Sequence, residues 1–103
     1  DIDLTQAVAR SMLGEIYASS KRYKEALKEY QFAENYYGSI YQNKFPATVE
    51  IGNLLTDLAL PGMKTHDRLT IKRYLNRLVY IFGYESSYVP KVLAEMDNSN
   101  IIW

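Results

Sequence analysis

The densest chemical feature of this sequence is a run of basic side chains. Between Pro61 and Tyr84 stand Lys64, Arg68, Lys72, Arg73 and Arg77, against a single acid, Asp67. On a helix with Leu75, Leu78, Val79 and Phe82 turned inward, Arg68, Lys72, Arg73 and Arg77 fall on or beside the outer face together with Asn76. Such a face, with Tyr80 beside it, suits an acidic protein surface or nucleic-acid phosphates. Its plain alternative is a soluble exterior whose long stems cover apolar surface. Nucleic acid is the weaker of the two functional readings, because the formal net charge is zero and no recognition-helix signature is visible.

The inventory for catalysis is short. His66 is the single histidine, placed beside Asp67 in an expected turn, and there is no cysteine. A second histidine or a thiolate to complete a metal site is therefore missing from this chain. No Gly-rich phosphate loop or nucleophile elbow is present either. Glu15 and Glu50 could approach each other across two hairpins, although two acids on neighbouring helices are most simply ordinary surface. The expectation is a non-enzyme with no cofactor and no metal.

The elements that carry these residues read as helices throughout. Asp3 with Gln6 three residues later has the form of a capping box, which starts a first helix over residues 4–19. Ser19, Ser20 and Lys21 form a short connection to a second helix over residues 22–37, ending near Gly38. Its outer face carries Lys21, Lys24, Glu25, Lys28, Glu29 and Glu34, which read as solvated charge. Leu13, Gly14 and Tyr17 share one face of the first helix, and Ala26, Tyr30 and Ala33 recur at i, i+4 and i+7 on the second. Small residues let the helix axes come close while the Tyr rings fill the space beside them.

Those residues, with Tyr23 at the turn, resemble one tetratricopeptide repeat, a helix-turn-helix unit about 34 residues long. The similarity covers residues 7–40. Three positions depart from the family pattern: Arg10 where Trp is frequent, Lys21 where the turn usually has Gly, and Gly38 where Pro commonly closes the unit. The resemblance implies an all-α protein-interaction scaffold. It implies a groove lined by Val8, Ser11, Glu15, Ala18 and Ser19, with Glu50 contributed by a second unit. One branch of the family clamps a peptide's terminal carboxylate with Lys and Asn. Ser11 and Glu15 stand at the corresponding positions here, so a neutral or basic protein segment is the expected ligand.

A third helix is expected over residues 46–60, opened by Pro46 and stopped by Pro61-Gly62, with Val49, Ile51, Leu54, Leu55, Leu58 and Ala59 inward. An extended turn from Leu60 to Asp67 follows, and Thr65 or Asp67 caps a fourth helix that Gly83 closes after Phe82. Ile51-Gly52 with Leu55 echoes Leu13-Gly14 with Tyr17, so residues 46–83 read as a second, degenerate hairpin. Ser86 or Ser87 starts a last helix to Met96, with Pro90 in its first turn and Val89, Val92, Leu93 and Met96 as its buried stripe. This helix, over residues 86–97, would cover the open apolar end of a repeat stack.

The composition, 48% hydrophobic and 23% charged, is that of an ordinary globular domain, and 103 residues suffice for one modest core. No apolar run approaches the ~20 residues of a membrane span and no signal-peptide pattern opens the chain. The compartment stays open, with the cytoplasm favoured. Opening on Asp1 without Met, the chain reads as a piece of a longer protein. Asp97 to Asn100 read as a turn or tail. Ile101-Ile102-Trp103 is too apolar to stay in water, so it folds back, marks a cut through a longer chain, or supports self-association.

Overall fold

A computed structural model describes residues 4–101. It contains α1 (Leu4–Ser19), α2 (Tyr23–Tyr41), α3 (Val49–Thr65), α4 (Arg68–Phe82) and α5 (Tyr88–Asn98), and no strand among the described residues. The protein is all-α. Helices α1 and α2 form one antiparallel hairpin, α3 and α4 another, and α5 packs on both α3 and α4. The chain divides into two compact units, Asp1–Pro46 and Ala47–Trp103, each with its own core. Asp3, expected to cap α1, lies outside the described residues, as do Ile102 and Trp103.

The first core is a seam of small residues under tyrosine rings. Along α2, Ala26, Tyr30, Ala33 and Tyr37 form one buried stripe, and α1 answers with Ala7 and Gly14. Gly14 lies directly beneath Tyr30, where an added Cβ would stand 2.6 Å from the ring's Cε1. Glycine is what allows the contact. The expected line from Gly14 through Ala26 to Ala33 thus faces inward. Arg10, in the first half of α1, bonds Glu29 well inside α2, whereas Tyr17, near the end of α1, meets Arg22 at the start of α2, as an antiparallel hairpin requires.

Helix α2 runs beyond its expected end at Tyr37. Gly38 is not the stop: it is buried within the helix, and its carbonyl accepts from the amides of Gln42 and Asn43. An added Cβ on Gly38 would meet Asn43 Oδ1 at 2.6 Å, so this glycine admits the returning loop. Gln42 and Asn43 supply the positive φ instead. The outer face also needs correction, because Glu29 and Glu34 are buried and not solvated. Glu29 accepts from the Arg10 guanidinium at 3.1 and 3.3 Å, which compensates its removal from water.

Four of the five helices end in the same way, with a non-glycine residue in the left-handed region: Lys21, Gln42, His66 and Asn100. In each case the following amide bonds back five residues, Arg22 to Tyr17, Asn43 to Gly38, Asp67 to Gly62 and Ile101 to Met96, at 2.7–2.9 Å. That bond satisfies a carbonyl that the helix end would leave bare. The stem of the motif is packed as well: Arg22 lies over the Tyr17 ring at 4.8 Å, and Ile101 and Met96 are both buried.

In the second unit α3 starts later and ends later than expected. Thr48 caps it, its Oγ1 accepting from the Ile51 amide at 3.3 Å, so Pro46 stays outside and Val49, in the first turn, is exposed. Pro61-Gly62 does not stop the helix. A proline inside a helix costs roughly 3 kcal/mol, and here Pro61, Gly62 and Met63 are all buried, which offsets it. Gly62 again marks a close approach: a Cβ there would lie 3.1 Å from the Asp67 carbonyl oxygen and from Ile71 Cγ1. The expected extended turn from Leu60 to Asp67 is therefore replaced by helix, and only His66 and Asp67 separate α3 from α4.

Helix α5 docks through Tyr88. Its ring sits on Gly52 of α3 and meets Phe82 of α4 at 4.7 Å between centroids. Gly52 therefore faces α5, whereas Gly14 faces the next helix in its own hairpin. Val89, Val92 and Met96 are buried as expected, but Leu93 is exposed, and α5 extends through Asp97 and Asn98 rather than yielding to a tail. Ile101 turns back and is buried. Ile71 and Tyr74 of α4 are fully buried, ahead of the half-buried Leu75, Val79 and Phe82.

Two substitutions test this packing. Gly14→Ala should gain about 1 kcal/mol of helix propensity yet lose more to overpacking against Tyr30, for a net loss of about 1–2 kcal/mol in urea denaturation. Lys21→Gly should relieve the left-handed strain and raise stability by about 1 kcal/mol, seen as a higher urea midpoint at unchanged slope.

Candidate functional site

Helix α1 is apolar on two sides. One side is the seam of Ala7 and Gly14; away from it, Leu4, Val8, Met12 and Ile16 repeat every fourth residue and are 49%, 44%, 58% and 61% exposed. At about 100° per residue these four make a slowly winding ridge. Leu4, Thr5, Val8, Ala9 and Met12 line a shallow open depression along it. Apart from Arg10, which is tied to Glu29, the only charge on α1 is Glu15. A solvent-facing ridge of this composition is not what an ordinary helix exterior presents.

The expected groove residues share this side of α1. Val8, Glu15 and Ser19 are exposed on it, while Ser11 and Ala18 are half-buried where it meets the seam. Glu50 belongs to the second unit, where it is exposed in the first turn of α3. Leu4, Met12 and Ile16 were not among the expected site residues. Their signal, an apolar residue at every fourth position, was present in the sequence but was outweighed by the small-residue seam.

The flank of the first hairpin is a closed electrostatic network. The Arg10 guanidinium sits 5.0 Å from the Phe32 ring centroid while holding Glu29, and Arg22 lies over Tyr17 while bonding Glu25 at 2.7 Å. The Arg22 contact lowers the Glu25 carboxyl below its ordinary pKa. Each guanidinium is matched by a carboxylate and an aromatic face, so Arg10 and Arg22 are already engaged, while Lys28 stands exposed beside them.

On α4 the expected basic residues separate. Arg68, Lys72 and Arg73 are exposed with Asn76, whereas Arg77 is half-buried. Asp67 rather than Thr65 is the cap: its carboxylate accepts from the Thr70 amide at 3.2 Å and the Thr70 hydroxyl at 2.7 Å. Thr65 instead donates its hydroxyl to the Pro61 carbonyl at 2.9 Å. The Thr70 hydroxyl first, and then its amide, hold the Asp67 carboxyl below its ordinary value of 3.8. His66 is spent on the left-handed closure of α3.

Among the described residues no cluster of three His, Asp or Glu side chains is arranged to hold a metal ion, and no helix is long and apolar enough to cross a membrane. No protein-family model, curated protein or solved structure matches this chain.

The cap makes a pH-dependent prediction. With its folded pKa depressed, Asp67 contributes fully above its unfolded value near 3.8, and the contribution fades as pH falls below that. Asp67→Ala should therefore cost about 1 kcal/mol at pH 7, and the difference from the unsubstituted chain should shrink between pH 4 and pH 2 in urea melts, about where a free Asp titrates.

Proposed function

We propose that this chain is a non-catalytic protein-interaction module that takes up a segment of another polypeptide along the outward side of α1. The observation that carries the reading is the ridge of Leu4, Val8, Met12 and Ile16, exposed on a helix whose other side is already packed. Water penalises such a ridge by roughly 25 cal/mol for every Å² left uncovered, and an apolar partner removes that penalty.

The tetratricopeptide resemblance supports the same reading. Gly14, Ala26, Tyr30 and Ala33, which carry it, are buried together. Two of its departures have local explanations. Arg10, where the family often has Trp, fills the space by bonding Glu29 over Phe32. Lys21, where Gly is usual, takes the left-handed conformation that Gly would take. With Glu15 as the one charge along α1 besides Arg10, the ligand is an apolar segment of neutral or basic character.

A displayed random-peptide library selected on the full chain tests this. Apolar peptides of neutral or basic charge should be enriched, and Met12→Glu or Ile16→Glu should weaken their binding roughly tenfold or more while far-UV circular dichroism stays unchanged. Enrichment of peptides with free acidic C-termini, or equal binding by both variants, would overturn the assignment.

A further inference from the structure

The exposed side of α4 combines features that the α1 reading does not use. Of all large apolar side chains described as exposed, Tyr80 and Leu69 are the most so, at 91% and 82%. At about 100° per residue, Leu69, Arg73, Asn76 and Tyr80 fall within a band of about 60°, with Lys72 about 40° to one side of it. Leu69 and Tyr80 are about 16 Å apart along the axis at 1.5 Å per residue. The band thus has an apolar anchor at each end and cations between them.

The charge of this face is uncompensated. All 15 residues of α4 include no acid, and neither Arg68 nor Lys72 has a carboxylate partner among the described residues. The nearest acid in sequence, Asp67, is engaged by the Thr70 amide and hydroxyl. Arg73 lies with its guanidinium carbon 5.6 Å from the Tyr74 ring centroid, and Tyr74 is buried. A guanidinium held against a fixed ring loses less freedom when it binds an anion. Helix α2 shows the contrast: there Glu25 and Glu29 are interleaved with Lys24 and Lys28.

We infer that the Leu69–Tyr80 face of α4 is a second docking surface, and that its partner is an acidic amphipathic polypeptide segment with apolar side chains spaced to reach both anchors. Carboxylates between those side chains would meet Lys72 and Arg73. Charge complementarity sets the sign of the partner, and the apolar anchors set its class. A phosphate backbone would engage the cations but leave Leu69, at one end of the face, without an apolar partner. Tyr and Arg are also residue types that dominate protein interfaces.

Fluorescence anisotropy on the full chain tests this with two labelled amphipathic helical peptides of about 18 residues, five turns, one built of Leu and Glu and the other of Leu and Lys. Single-stranded oligothymidylate is the third probe. On the full chain carrying Met12→Glu and Ile16→Glu, which blocks the α1 ridge, the Leu/Glu peptide should bind more tightly than the Leu/Lys peptide, and less tightly as salt rises. Lys72→Glu with Arg73→Glu should weaken it tenfold or more, and Leu69→Ala with Tyr80→Ala roughly tenfold. All four side chains are exposed, so circular dichroism should not change. Met12→Glu on α1 should leave this binding intact, which separates it from the proposal for α1. Equal affinity of the two peptides for the chain with α1 blocked, or indifference to Leu69→Ala with Tyr80→Ala, would overturn the inference. Binding of oligothymidylate without binding of the Leu/Glu peptide would replace it with a nucleic-acid face.

Discussion

The approach of Gly14 to the Tyr30 ring sets the geometry of the first hairpin. With no Cβ in the way, the ring reaches the space a side chain at Gly14 would fill, and Ala26 and Ala33 flank it without holding the helices apart. Because α1 buries only Ala7 and Gly14 completely, much of its side-chain surface remains outside the seam. A larger residue at the seam would have rotated or lifted α1 and turned a different set of side chains outward. The ridge of Leu4, Val8, Met12 and Ile16 is a consequence of that narrow contact.

The second unit uses glycine for the same purpose in other places. Gly52 receives Tyr88 of α5 and Gly62 receives the first turn of α4, so α3 is approached closely from two directions. That explains why α3 buries residues around most of its circumference, including Pro61 and Met63. Glycine at Gly14, Gly38, Gly52 and Gly62 permits contact, while the chain reversals fall to Lys21, Gln42, His66 and Asn100. Apart from Gly83, which ends α4 at a φ of 82°, the usual division, glycine at helix ends and larger residues within, is inverted here.

The two outward surfaces differ in chemistry. Helix α1 presents a nearly uncharged apolar ridge, and α4 presents cations bracketed by Leu69 and Tyr80. Each lies on a helix whose inner side is firmly packed, so both are carried on rigid elements rather than loops. Ile71, Tyr74 and Leu78 anchor α4 from within, and Gly14 with Ala7 anchors α1.

Helix number and type were legible in the residues alone, because apolar positions recur at helical spacing from Leu4 to Met96 and turn residues interrupt them. The seam of Gly14, Ala26, Tyr30 and Ala33 was legible for the same reason, as was the exposure of Lys72, Arg73 and Tyr80. Boundaries were not. Pro61-Gly62 has the local signature of a stop, and only burial of Pro61 and Met63 against the rest of the unit carries the helix past it. Gly38 likewise looks like an end until Asn43 is seen folded against it. Glu29 and Glu34 read as solvated by their charge, and the seam's geometry decided otherwise. Periodicity depends on neighbours along the chain and so is written in the sequence. Which glycine admits which ring, and which apolar side is left uncovered, depends on partners 16 or more residues away, as Tyr30 is from Gly14, and only packing in three dimensions settles it.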